Sequence, residues 1–425
     1  MFTFYSKIAT GIPPNYCYNI SYFGKNVRII SMIKKDFIQP LNPIVTNLAP
    51  DGLLDFQLAV RDIPDLVRLT FGEPGFNVDD AIKARIIQSV QEDNSHYADS
   101  QGERDLRNAA VAYFNKKYDL NYSGEDNIIV TIGVSEAINV VFLTLLNDNE
   151  GVIVPEPAYP PYFASLDLAH GKKVSINTRP TDFKLTPDQV DEAMEKAKVP
   201  VKAILFNYPS NPTGVTYSED ELQALAAVFK KHRLWVISDE IYSQLTYDQA
   251  HVSLASLIPD QTVLITGLSK SHAMTGYRIG FILGEKAFID EAQKVHGALT
   301  FSLPKVLQDG ALVAVTDAAE VADEMRDVYK RRRDWLTPQL QALGFEVVNP
   351  EGAFYIFAKI PADMGLSGFD FAVDLAEKAK VAIIPGDAFS EYTPEYVRIS
   401  YAASDEDLAE AMKRMTAYFA ERRGE

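Results

Sequence analysis

The chain is poor in several residue types, and each shortage narrows the reading. One cysteine among 425 residues, Cys17, rules out an internal disulfide framework and fits a reducing compartment such as the cytoplasm. No apolar run approaches the roughly 20 residues that cross a bilayer as a helix, so no membrane partner is expected. Basic residues fall short of acidic ones, 41 Lys and Arg against 58 Asp and Glu, a net charge of −17. A surface of that sign repels nucleic acid and anionic membranes. Acidic residues are missing in turn from positions 1–31, which hold seven aromatics and the cysteine. That stretch also lacks a compact apolar core with a small-residue cleavage site, so a secretory signal is not expected. With Met32 as a plausible start, residues 1–32 are expected to form an extension outside the fold. No internal repeat, low-complexity tract or polar linker divides the rest.

From residue 127 onward apolar runs alternate with helical patterns. The runs are 127–133, 151–157, 173–177, 202–209, 234–240, 262–267 and 278–284, with helices at 135–147, 160–170, 186–198 and 219–232. This alternation predicts an α/β fold with a seven-stranded, mostly parallel sheet covered by helices on both faces. Ser218 and Glu221 have capping-box spacing at the start of the last of these helices. After Pro304 the pattern changes to long helical stretches over 307–343. Strand-like segments at 345–360, 381–386 and 396–402 and helices at 369–380 and from 405 follow. These predict a smaller α+β domain. Earlier, 66–72 reads as a short strand running into Gly72-Glu73-Pro74, and 79–92 as an amphipathic helix. The expected division is an arm and part of the small domain over 33–75, the large domain over 76–305 and the small domain over 306–425.

The stretch GLSKSHAMTGYRIGF (267–281) organises the chemistry. It puts Lys270 at the carboxyl end of a buried strand, where open α/β sheets bind ligands. Desolvation there lowers a lysine pKa and suits Schiff-base chemistry. Arg278, eight residues on, can return to the same crevice and hold a phosphate as a bidentate fork. Other stretches offer complementary groups. VTIGVSEA (130–137) is a strand, a glycine and a helix start, the usual anion cradle. LWVISDEIY (234–242) ends an apolar strand on Asp239, a carboxylate that needs a partner if buried. FNYPSNPTG (206–214) is a stiff proline-rich loop carrying Asn207 and Asn211. PEPAYPPYF (155–163) offers Tyr159 for ring stacking. YVRISYA (396–402) places Arg398 inside a short strand, with Tyr396 and Ser400 on its face. HYADSQGERDLR (96–107) carries Tyr97 in a loop.

Taken together, these strings resemble the class I/II aminotransferases. Lys270 and Arg278 match S-x-S-K-x-x-x-x-x-G-x-R-x-G, apart from Gly267, which stands where that family often has serine. The 206–214 string matches N-x-P-x-N-P-T-G, and the resemblance runs from about Leu66 to Ala402 in the family's order. It implies fold type I, pyridoxal 5′-phosphate (PLP) bound through Lys270, and an aminotransferase reaction. Val134, Ser135, Ser269 and Arg278 are implied for the phosphate, with Thr266 as a candidate substitute for the serine replaced by Gly267. Asp239 is implied for the pyridine nitrogen, Tyr242 and Asn211 for the phenolic oxygen, and Tyr159 for the ring face. Arg398, Asn211 and the backbone at Gly72 are implied for the substrate α-carboxylate. Lys270, Asp239 and Tyr242 form the implied catalytic set, with no metal. Tyr97 is implied to reach the neighbouring subunit's cofactor in a homodimer. The wording of 267–276 is similar to bacterial aromatic and N-acetyl-diaminopimelate enzymes. The expected partners are therefore an aromatic or related L-amino acid and a 2-oxo acid such as 2-oxoglutarate. A PLP lyase using the same residues is the alternative. A non-enzymatic regulator of this fold would carry an added DNA-binding domain, for which residues 1–31 are too short.

Overall fold

The structure, a computed structural model, describes residues 41–49 and 52–424 together with the backbone of 18–23 and 26–31. The expectation for residues 1–32 therefore lies largely outside the described residues. The chain divides into two compact units, Met1–Leu48 and Ala49–Glu425. In the first, strands β1 (Tyr18–Phe23) and β2 (Asn26–Ser31) pair antiparallel, and a single helical turn spans Pro43–Thr46.

The second unit opens with a helix, Gly52–Val60, and strand β3, which is only Val67–Arg68. It is thus much shorter than the 66–72 strand expected. Seven strands then form the main sheet: β4 (Ile128–Ile132), β5 (Gly151–Glu156), β6 (Lys172–Asn177), β7 (Val201–Asn207), β8 (Trp235–Asp239), β9 (Thr262–Gly267) and β10 (Ile279–Leu283). Their order is β4-β10-β9-β8-β7-β5-β6, and only β10 runs against its neighbours. Parallel strands need a long crossover, and the turn from Leu268 to Arg278 is too short to supply one. Reversing β10 has a useful result: its first residues lie at the same sheet edge as the carboxyl ends of β4, β7, β8 and β9.

Apart from the edge strand β6, both faces of this sheet are buried, which is why its strands read as largely continuous apolar runs. Ile128 and Val130 pack with Phe281 and Leu283 beneath helices Arg104–Tyr118 and Lys305–Val315. Ile129 and Ile282 face the other way, against Ile138 and Val141 of helix Gly133–Leu145. Ile153, Ile204 and Val236 meet Leu222, Leu225 and Phe229 of helix Glu219–His232. That helix starts on the capping box of Ser218 and Glu221.

A four-stranded antiparallel sheet forms the second layer. Strand β11 (Glu346–Val347) is followed by β12 (Tyr355–Lys359), β13 (Val381–Ala382), β14 (Ile384–Pro385) and β15 (Tyr396–Ser400), and the sheet order is β11-β12-β15-β14. The 381–386 stretch splits between two sheets, because β13 leaves to pair in parallel with β3. The 307–343 region likewise forms two helices, Lys305–Val315 and Val321–Ala342. Every residue of β15 is buried, so Arg398 enters an interior and not a half-open face.

Candidate active site

Four strand ends converge on one cavity of about 580 Å³. Its lining includes Gly72, Val134, Ser135, Tyr159, Asn211, Asp239, Tyr242, Ser269, Lys270, Arg278 and Arg398. The residues singled out for the site from the sequence are therefore together, except Thr266 and Tyr97. The Tyr97 side chain is 87% exposed, packs edge-on against Phe301 at 5.0 Å and lines a separate surface groove.

Lys270 follows β9 in a single helical turn, and its Nζ donates to the Gly72 carbonyl at 2.5 Å. It lies 5.9 Å from the centre of the Tyr242 ring. Burial pulls this ammonium down to about 8, against the counter-pull of Glu73. Asp239 ends β8 and is almost wholly buried. Burial pushes its carboxyl up to about 6, although hydrogen bonds from the Tyr162 hydroxyl and the Ile241 amide (3.1 Å) pull the other way. Among the described residues it has no ion-pair partner.

At the β4 edge, the helix Gly133–Leu145 begins with no side-chain cap, which leaves first-turn amides open to a ligand. Gly133 adopts φ +68°, and a Cβ there would lie 2.8 Å from Arg278 Nη2. Arg278 is therefore seated against glycine backbone. Its Nη2 donates to Ser135 Oγ (3.3 Å) and its Nη1 to the Thr275 carbonyl (2.9 Å).

Arg398 is buried between the rings of Tyr355 and Phe389, 4.4 and 5.0 Å from their centres. Its Nη1 donates to Asn211 Oδ1 (2.9 Å) and its Nη2 to the Thr70 carbonyl (3.0 Å). Its Nε is buried with no hydrogen-bond partner in the protein. Asn207 pins the loop: it donates to the Asp239 carbonyl (2.9 Å) and accepts from the Asn211 amide (2.9 Å).

One expectation is overturned. Thr266 does not stand in for the serine missing at Gly267, because its buried hydroxyl donates to the Glu240 carbonyl (3.4 Å) and it does not line the cavity. The glycine itself has a packing cause. A Cβ at Gly267 would lie 2.6 Å from the Ile279 carbonyl and 3.1 Å from Gly280 Cα, while one at Gly280 would lie 2.5 Å from Gly133. Three backbones are in contact where β4, β10 and β9 reach the site.

Sequence reasoning missed two residues. Tyr162 holds Asp239, and its only signal was the three-residue spacing after Tyr159, whose ring it meets edge-on at 5.3 Å. Tyr355 shares a 2.8 Å hydrogen bond with the Tyr242 hydroxyl and forms one wall of Arg398. It lies more than a hundred residues from Tyr242, and no local pattern marks it.

With this geometry in view, the comparisons are specific. Residues 64–415 match the family model for aminotransferase class I and II. The chain is 40% identical over 383 residues to a probable N-acetyl-LL-diaminopimelate aminotransferase of Bacillus subtilis, covering 90% of this chain and 96% of that protein. A single mutant of Thermus thermophilus aspartate aminotransferase superposes with TM-score 0.85 at 32% identity, over 89% of this chain and all of the other. The aromatic aminotransferase of Pyrococcus horikoshii gives 0.81 at 32%, over 87% and 99%.

Introducing Gly267→Ser is expected to destabilise the protein by about 1–3 kcal/mol through overpacking. Equilibrium unfolding measures it, and unchanged stability would show that the three backbones separate freely.

Proposed function

The chain belongs to the class I and II aminotransferases, which are PLP-dependent, and on that premise we propose an aromatic or related L-amino acid as its donor and a 2-oxo acid such as 2-oxoglutarate as its acceptor. The observation that carries the donor assignment is the charge of the cavity. Among the described lining residues the cations are Lys270, Arg278 and Arg398, and each has work elsewhere in this reading. Apart from Asp239, which this reading assigns to the cofactor, the remaining wall, including Leu53, Gln57, Tyr159 and Ile384, carries no charged side chain, which suits an uncharged donor side chain. A second opening shares Gln57, Thr70 and Gly72 with the cavity and is lined by Arg61 and Arg68. It suits the extra carboxylate of 2-oxoglutarate.

The residues present fit PLP. The uncapped helix start with Val134, Ser135, Ser269 and Arg278 offers amide, hydroxyl and guanidinium donors for a phosphate. The unpaired buried carboxylate of Asp239 suits a pyridinium nitrogen, with the Tyr162 hydroxyl orienting it. Tyr242 and the Asn211 amide can donate to the phenolic oxygen, and Tyr159 can cover the ring. When bound, PLP supplies the electron sink that stabilises the carbanion left at the substrate Cα. Lys270 Nζ, already poor at holding its proton, is the base that takes the Cα proton and later returns one. Arg398 grips the α-carboxylate through the in-plane N–H donors at the edge of its guanidinium, steered by Asn211 and the Thr70 carbonyl.

The same reading makes the protein a cytoplasmic homodimer, in which Tyr97 reaches the partner's phosphate. Its exposure, remote from its own chain's cavity, supports that role. Residues 76–305 then serve as the cofactor-binding domain and 306–425 as the small domain, with 33–75 as arm and part of the latter.

A panel of L-amino acids against 2-oxoglutarate tests the donor class. Aromatic donors should turn over well, and a strict requirement for aspartate or glutamate would reject the assignment. The variant Lys270→Ala is expected to lose the visible absorbance of the bound cofactor; an unchanged spectrum with normal turnover would refute the role of Lys270. In cofactor-free protein, PLP capture requires the neutral Lys270 amine. Its rate should therefore rise with pH to about 8 and then level off. An ordinary exposed lysine would keep gaining neutral form up to about 10.4. Below about 6, protonation of Asp239 should weaken binding further. Spectroscopic titration of capture rates reads both, and a rise continuing past pH 10 would exclude the buried-lysine account.

A further inference from the structure

The turn assigned to the phosphate is held from behind by a group that the proposed chemistry does not use. Glu136 lies in the first turn of helix Gly133–Leu145. Its Oε2 accepts from the Ile132 amide (2.6 Å), and its Oε1 accepts from the Thr300 hydroxyl (2.6 Å) and lies 2.8 Å from His296 Nδ1. His296 is fully buried in helix Lys286–Leu299, and its Nε2 lies 2.8 Å from the Ser100 carbonyl. Both ring nitrogens thus face acceptors, a carboxylate and a carbonyl, and only an imidazolium donates to both. Burial alone would push the Glu136 carboxyl up, but hydrogen bonds from His296, Thr300 and Ile132 hold it below its ordinary value.

A carboxylate in the first turn of a helix that receives a dianionic phosphate is electrostatically adverse unless balanced. We propose that His296 is a positioning residue for the phosphate: it neutralises Glu136, locks the turn Ile132–Ser135, and ties that turn to the Tyr97 loop through the Ser100 carbonyl. The same helix holds the loop a second time, since Gln293 Nε2 donates to Ser100 Oγ (3.0 Å). Just beyond its end, Phe301 packs against Tyr97. The turn that would receive this chain's own phosphate and the loop presenting Tyr97 are therefore braced by one imidazole.

The inference rests on the phosphate reading above, and the experiment separates the two. Full-length protein stripped of cofactor is titrated with PLP and with pyridoxal, which lacks the phosphate. His296→Gln is expected to weaken PLP by about tenfold while leaving pyridoxal unchanged. Adding Glu136→Gln to that variant removes the unbalanced anion and should recover most of the loss. Equal weakening of both ligands, or none, overturns the inference. Arg278→Gln serves as the reference: if it too fails to distinguish PLP from pyridoxal, the phosphate reading itself is wrong. Should His296→Gln not fold, Glu136→Gln alone is measured, and a selective fall in PLP affinity there overturns the proposal.

Discussion

Burial of ionisable groups at one edge of the seven-stranded sheet is the constraint on which the site depends. Water would leave Lys270 an ordinary ammonium and Asp239 an ordinary carboxylate. The interior pushes both toward neutrality, Lys270 to about 8 and Asp239 to about 6. In the proposed reading a cofactor with a pyridinium and an aldehyde suits both, since the pyridinium would pair the Asp239 carboxylate and the aldehyde would condense with the neutral Lys270 amine. The cost of holding Asp239 there is offset by two donors, Tyr162 and the Ile241 amide, and both come from segments that follow strand ends.

The second sheet contributes in a different way. It delivers a single guanidinium into a space where Tyr355 and Phe389 exclude water and Asn211 and Thr70 fix two of its nitrogens. Burial pulls the Arg398 guanidinium below its ordinary value, yet a guanidinium stays charged under such pressure, whereas a lysine gives up its proton. In the proposed function, lysine suits the position that loses a proton, and arginine the position that keeps its charge. Asn211 joins the layers, because its loop leaves the large sheet at Asn207 and its side chain accepts from Arg398.

Much of this was legible along the chain, because the main groups sit at strand ends. An apolar run followed by Asp239, Lys270 or a glycine-initiated helix marks a position at the sheet edge whatever the strand order. Groups that act on those groups were not legible. Tyr355 and His296 reach their partners from over a hundred residues away, and Tyr162 looked like one more aromatic in a proline-rich loop. Thr266 was misjudged because strand alternation says which face a side chain takes but not what stands there; its neighbour across the strand is the Glu240 carbonyl.

The linear order of residues determined the seven strands of the main sheet and the helices between them, the chemical type of the main site groups and the family to which the chain belongs. These depend on periodicity and on short spacings, which the chain carries locally. Tertiary structure alone decided that β10 runs backward and brings Arg278 beside Ser135, that Gly267 leaves no room for a side chain, and that Arg398 keeps one buried donor free. Those outcomes depend on which backbones come within a few ångströms of one another across long stretches of sequence, a distance that no local pattern records.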